Sequence, residues 1–114
     1  MRNLLLETAG VLAFFISIAH GVLGETKIFA RAQIEPPPAR RLMRLVWHCS
    51  AVAWGSLAIL LFFAPRFEGA RDSIVAVSVV TYGFGAIANA WATRGRHIGW
   101  MALAVVVGLA VAGR

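Results

Sequence analysis

The sequence predicts an all-α fold: an integral membrane bundle of four antiparallel transmembrane helices, forming a single domain over residues 1–114. Of the 114 residues, 60% are hydrophobic and only 14% are charged, too few polar groups to cover a soluble globule of this size. The apolar residues form four runs near the length of about 20 residues that an α-helix needs to cross a hydrocarbon core. The connectors between the runs are short, so we expect consecutive helices to be antiparallel neighbours.

The four predicted spans account for most of the chain. They cover about Leu4–Gly24, Leu42–Ala64, Ser73–Trp91 and Ile98–Ala112. Within them, stretches such as Ser56–Phe63 are almost continuously apolar, which favours helices over the alternating pattern of membrane strands.

The first connector is the longest and divides into two parts. Thr26–Ile34 alternates apolar and basic residues in a way that predicts a short interfacial helix. Pro36, Pro37 and Pro38 then predict an extended, polyproline-like turn before the second span. Segments 65–72 and 92–97 predict tight turns.

Positive charge is distributed unequally between the two ends of the predicted bundle. Seven of the 11 Lys and Arg residues lie on the side of the first and third connectors, and four lie on the other side. Cytoplasmic loops carry such an excess, so we expect both chain ends on the opposite, periplasmic face. The net charge of +6 does not indicate nucleic acid, since no basic helix lies outside the predicted spans. The expected partners are the lipid bilayer and a homo-oligomer or larger membrane complex.

Polar residues from all four spans fall near the cytoplasmic end, and ionisable groups inside a bundle are candidates for function. Helical phase places His20 on a face of small residues directed into the bundle. The cofactor-binding candidates are His20, Arg44, His48, Tyr82 and Asn89, and the candidate metal ligands are His20, Glu25, His48 and His97.

Several chemistries suit these residues. Histidines from adjacent helices at matched depth are typical of the two axial ligands of a haem. Imidazole together with carboxylate suits a transition metal, and the same groups suit a quinone or an acidic lipid headgroup. No H-E-x-x-H, C-x-x-C or glycine-rich phosphate motif is present, so the sequence leaves open whether the protein is an enzyme. An accessory subunit of a larger membrane complex and a small transporter are the alternatives.

Three segments resemble a group of small bacterial four-helix integral membrane proteins of uncharacterised function. They are AHGVLGE at residues 19–25, RLVWHCSAVAW at residues 44–54 and RGRH at residues 94–97. The resemblance covers three of the four helices and implies a compact bundle in the bacterial inner membrane, without implying an activity. The small multidrug-resistance transporters are similar in size but carry a glutamate near the middle of the first span, whereas Glu7 lies near its end.

Overall fold

The structure, a computed structural model, describes all residues from Met1 to Arg114 and contains four α-helices and no strands. Helix α1 covers Arg2–Leu23 and α2 covers Pro37–Phe63, while α3 covers Arg71–Ala92 and α4 covers Gly99–Gly113. The all-α prediction and the number of helices are therefore confirmed. The helix bounds agree with the predicted spans to within five residues.

The first connector differs from its prediction. No separate helix forms at Thr26–Ile34; instead a π-helix, Gly24–Phe29, continues α1 directly. Pro36 has extended backbone (φ −76°, ψ 167°), but Pro37 and Pro38 already belong to the first turn of α2. Proline is tolerated there because the first amides of a helix have no intrahelical acceptor and its fixed φ suits the helix.

The helices run up and down in alternation. Gly10, near the start of α1, meets Phe62 at the end of α2, and Gly113 at the end of α4 meets Leu6. Gly99 at the start of α4 lies beside Asn89 near the end of α3. One end of the bundle, the terminal end, therefore carries both chain ends and the α2–α3 connector. The other, the loop end, carries segments 24–36 and 93–98.

Helix α1 packs extensively against both α2 and α4, and α3 packs mainly against α4. Helices α2 and α3 contact each other much less, so the expectation that all consecutive helices pack as close neighbours is wrong for this pair. The physical reason is the distribution of small residues. Alanines bring α1 against both α2 and α4, whereas the large Trp54 ring stands between α2 and α3 and lies against Gly85. The core alanines are Ala9, Ala13, Ala58, Ala64, Ala86 and Ala110.

Little of the molecule is buried. Only 20 of 114 residues are buried, and large apolar side chains are exposed on every helix. Three helices, counting their flanking turns, are long and apolar enough to cross a membrane: Arg2–Phe29, Pro37–Arg66 and Arg71–Ala92. Helix α4 is apolar but has 15 residues, a length of roughly 22 Å at 1.5 Å per residue.

Arg71 joins three helices at the terminal end. Its Nη1 donates to Asn3 Oδ1 at 2.9 Å, and its Nη2 donates to the carbonyl oxygen of Gly113 at 2.7 Å. At the same end, Arg114 Nε lies 3.7 Å from Asp72 Oδ1 in an exposed ion pair. Polar contacts at this end therefore hold the helix ends together. A separate cluster of charged side chains lies at the loop end.

Candidate functional site

The π-helix and the first half of α2 together position a charged cluster at the loop end. Gly24 opens the π-helix where it passes Trp47 so closely that an added Cβ would lie 2.2 Å from the indole Nε1. This close approach directs the next residue, Glu25, toward α2. Segments of π-helix are rare and are frequently found at functional sites.

Glu25, Arg44 and His48 form the cluster, which we call the charged triad. Arg44 Nε and Nη2 donate to Glu25 Oε1 and Oε2 at 2.7 and 2.6 Å, a bidentate ion pair. His48 Nε2 donates to Glu25 Oε1 at 2.5 Å. The side chains of Arg44, His48 and Glu25 are 51%, 41% and 34% exposed, so the triad remains accessible from outside the bundle.

Arg44 and His48 reach the same carboxylate because they are one helical turn apart on α2. Arg44 uses Nε and Nη2 for Glu25, and Nη1 has no hydrogen-bond partner in the protein. An arginine whose guanidinium has free donors can bind a second anion, and its planar geometry suits phosphate or carboxylate.

His20 lies in a different environment, between two indole rings of α2. Its ring is stacked on Trp47 at 4.2 Å with an interplanar angle of 9°, and on Trp54 at 4.9 Å and 28°. His20 Nε2 lies 3.0 Å from Ser50 Oγ, which itself donates to the Trp47 carbonyl at 2.6 Å. Since a serine hydroxyl has one hydrogen, His20 Nε2 must be the donor to Ser50.

His20 and His48 thus share a depth in the bundle but not an environment. His48 belongs to the charged triad, whereas His20 stacks on Trp47 and Trp54, and no hydrogen bond joins the two histidines. In both imidazoles Nε2 already donates to a protein oxygen. Neither imidazole is therefore free to ligate a haem iron through Nε2 without breaking a hydrogen bond.

Tyr82, another cofactor-binding candidate from the sequence, links α3 to α2 by a hydrogen bond. Its hydroxyl donates to the Trp54 carbonyl at 2.8 Å, and the residue is 1% exposed. The Trp54 ring packs edge-on against Tyr82 at 6.0 Å. The contact closes the bundle where α2 and α3 are otherwise apart, so Tyr82 is not available to an outside ligand.

Asn89 and His97 lie at the junction of α3 and α4 and do not contact the charged triad. Asn89 Oδ1 is buried without a hydrogen-bond partner, and Asn89 Nδ2 lies near Gly99. His97 is exposed, and its Nδ1 accepts a hydrogen bond from the Gly99 amide at 3.0 Å. Of the four candidate metal ligands, the structure brings together only Glu25 and His48. No group of three or more His, Cys, Asp or Glu side chains is placed to hold a metal ion.

A groove of about 590 Å³ runs along the outside of the bundle between α1 and α2, and it begins at the charged triad. Glu25, Thr26 and His48 line the polar end, while small side chains form much of the floor. An added Cβ on Gly21 would lie 3.9 Å from His48 Nδ1, so this nitrogen lies beside the floor. The remaining lining residues are Phe14, Ser17, Ile18, Val22, Ala51, Val52, Gly55, Ser56 and Ile59.

Sequence reasoning named all three members of the charged triad but missed the groove and the stacked role of His20. The available signal was the spacing of small residues: Ser17 and Gly21 on α1, and Ala51 and Gly55 on α2, each four residues apart. Such spacing predicts close helix contact in a membrane. It does not say on which side of the contact the neighbouring histidines lie.

No protein-family model, no curated protein and no solved structure gives a significant match to the chain. Functional inference therefore depends on the geometry of the charged triad and the groove.

Proposed function

We propose that this chain is an integral membrane protein of the bacterial inner membrane that binds an acidic amphiphile in the groove between α1 and α2. The charged triad receives the acidic headgroup, and the apolar groove receives the tail. The observation that carries the proposal is the continuity of the two: the groove ends at Glu25 and His48, and Arg44 beside them has free donors.

Membrane insertion is supported by the exposed surface. Monomeric soluble proteins rarely expose contiguous apolar patches above a few hundred Å². Here Val80, Phe84, Ile87 and Trp91 form one exposed stripe on α3, each 69–83% exposed. Lipid is the solvent in which such a stripe has no hydrophobic cost.

The distribution of charged residues supports both an acidic ligand and an orientation with the loop end in the cytoplasm. The loop end carries seven Lys and Arg residues against two carboxylates, Glu25 and Glu35. An anion arriving there is attracted by the surplus of positive charge, and the same surplus favours the cytoplasmic side for this end. Both chain ends then face the periplasm.

The existing contacts of the two imidazoles favour an acidic headgroup over haem or a metal ion as the ligand. His20 is stacked between two indoles and donates to Ser50, so its Nε2 is already in use. His48 shares its carboxylate with Arg44, whose positive charge opposes the binding of a cation there. An anion meets no such opposition from Arg44.

Native mass spectrometry of the detergent-purified protein tests this proposal. The probe is an equimolar mixture of phosphatidic acid and phosphatidylcholine with identical tails. We expect the wild type to retain phosphatidic acid preferentially and Arg44→Gln to lose about tenfold or more of that preference, since a hydrogen bond to a charged group contributes about 1.5–3 kcal/mol. Arg96→Gln removes the same charge from the same end and is expected to retain the preference. Equal losses in both variants, or no preference in the wild type, would contradict headgroup binding by the triad.

A second candidate, an accessory subunit of a larger membrane complex, is favoured by one observation. The groove floor contains Ser17, Gly21, Ala51 and Gly55, and small residues let another transmembrane helix approach closely. In that case the protein copurifies with a partner helix that occupies the groove and excludes phosphatidic acid. A Gly55→Leu variant, which fills the floor, would then release the partner.

A further inference from the structure

The groove between α1 and α2 continues beyond the 590 Å³ part described above. A second, wholly apolar depression of about 330 Å³ lies between the same two helices, nearer the terminal end. Phe14 and Ile59 line both depressions, so the two form one groove that continues along α1 and α2. The second depression, which we call the distal groove, is lined in addition by Gly10, Val11, Phe15, Ala58, Phe62 and Phe63.

The length of the whole groove follows from the helix that lines it. It extends along α1 from Glu25 to Val11, which is about 21 Å at 1.5 Å per residue. The hydrocarbon core of a bilayer is roughly 30 Å thick, so one leaflet contributes about 15 Å. A tail anchored at Glu25 and filling the groove therefore crosses the bilayer midplane.

The far end of the groove lies close to the charged residues at the terminal end of the bundle. Arg66 stands over the rings of Phe62 and Phe63, at 5.8 and 4.9 Å from their centroids. No polar side chain lines the distal groove, whereas the near part contains Ser17, Ser56 and Thr26. The polarity of the groove thus falls along its length from the charged triad toward Phe62.

We infer that the preferred ligand is a single-chain phosphate amphiphile whose tail is longer than one leaflet, such as a polyprenyl phosphate, and that a two-tailed phospholipid such as phosphatidic acid binds the charged triad but leaves the distal groove unfilled. This inference rests on the proposed function and specifies its ligand class. A phospholipid tail ends near the midplane and leaves the distal groove to tails of the opposite leaflet. A longer tail fills the groove continuously and gains van der Waals contact with the walls, which is the main source of selectivity when the competing solvent is lipid.

Binding of two single-chain probes to the detergent-purified protein tests the inference. Dodecyl phosphate reaches only the near part of the groove, and docosyl phosphate reaches the distal groove. We expect the wild type to bind docosyl phosphate roughly tenfold more tightly, equivalent to about 1.4 kcal/mol. Native mass spectrometry with an equimolar mixture of the two probes measures the ratio directly.

A bulky substitution then blocks the distal groove alone. Val11 is 46% exposed on the groove wall, so we expect Val11→Trp to fold normally, bind dodecyl phosphate like the wild type and lose the preference for the longer chain. Val77→Trp is the matched control, because Val77 is 55% exposed on α3 and outside the groove. Phe63→Ala removes a distal wall without adding bulk and is expected to reduce the preference as well.

Each other outcome overturns part of the account. If wild type binds both phosphates equally and Val11→Trp changes nothing, the distal groove is unused and this inference fails while the proposed function stands. If it binds neither phosphate, the proposed function fails. If the protein is a dimer that Val11→Trp dissociates, a second copy occupies the groove. Should Val11→Trp bind neither probe, Phe63→Ala decides: an unchanged preference there rejects the inference.

Discussion

His20 illustrates how a half-buried polar side chain in a bundle can be structural. Its ring is held by two indole faces and one hydrogen bond, and its carbonyl accepts from Trp47 Nε1 at 2.9 Å. The same indole packs edge-on against Phe29 at 5.9 Å, so the stack links the main part of α1 to its π-helical end. His20 therefore supports the π-helix that carries Glu25, without touching the groove.

We predict that His20→Ala lowers the free energy of unfolding and has a smaller effect on the affinity for the ligand. Two aromatic contacts are lost, each contributing roughly 0.5–1.5 kcal/mol, so the expected loss is about 1–3 kcal/mol. Thermal unfolding in detergent, followed by circular dichroism, measures it. His20→Phe keeps the stacking and should recover most of the stability, and His97→Ala should behave like the wild type. A His20→Ala protein as stable as the wild type would show that the stack contributes nothing.

The depth of the histidines was predictable from hydropathy, but their environments were not. His20 and His48 both lie near the loop end, as the spans indicate. Helical phase correctly separates faces within one helix, yet which ring meets which depends on how α1 and α2 rotate about their contact. Gly24 sets that rotation because its lack of a side chain lets Trp47 pack against it. The sequence alone does not show which residue packs against a given glycine.

At the scale of elements, the contact between α1 and α2 depends on backbone approach. An added Cβ on Gly10 would lie 2.6 Å from the backbone nitrogen of Phe62, and one on Gly55 would lie 3.1 Å from Ser17 Oγ. A backbone atom cannot rotate away as a side chain can. Gly10 therefore fixes the separation of the two helices, and with it the width of the distal groove.

We predict that Gly10→Ala forces α1 and α2 apart and destabilises the protein by about 1–3 kcal/mol, the usual range for overpacking. Gly83 is the matched control: it lies inside α3, and no neighbouring atom lies within 4 Å of where an added Cβ would be, so Gly83→Ala should be neutral or slightly stabilising. The two variants are compared by thermal unfolding in the same detergent. Equal midpoints would contradict the claim that close backbone approach at Gly10 maintains the bundle.

The helices themselves were predictable because long apolar runs in a mainly hydrophobic chain have few alternatives to helix. The prediction failed at the ends of elements. Segment 24–29 continues α1 as π-helix, and Pro37 begins α2 instead of extending the turn. Both differences are local backbone choices that hydropathy does not record, and both shape the site, since they bring Glu25 and Arg44 together.

At the scale of the whole molecule, charge and packing are both asymmetric along the bundle. The terminal end is tied by Arg71 to the carbonyl of Gly113 and to Asn3, three helices held by one side chain. The loop end has more charge, and its charged triad is accessible, since the Arg44 side chain is 51% exposed. Side chains thus tie the helices together at one end of the molecule, and a charged cluster is accessible at the other.

The orientation makes a prediction that labelling can check. In a background where Cys49, the only cysteine, is replaced by serine, Glu35→Cys and Gly69→Cys place single thiols at opposite ends of the bundle. We expect a membrane-impermeant maleimide to label position 69 from the periplasmic side and to reach position 35 only after the membrane is disrupted. Labelling of both thiols from one side would contradict the transmembrane arrangement.

The central claim, that the groove between α1 and α2 binds an acidic amphiphile, is tested most directly by photo-cross-linking in liposomes. Phosphatidic acid and phosphatidylcholine probes carry the same diazirine in the tail, and the adducts are mapped by peptide mass spectrometry. The account predicts that the acidic probe enriches adducts on the groove residues Ile18, Val52 and Ile59 relative to the zwitterionic probe, with no enrichment on the exposed Val80 and Phe84 of α3. The same enrichment on both surfaces, or on neither, would contradict it.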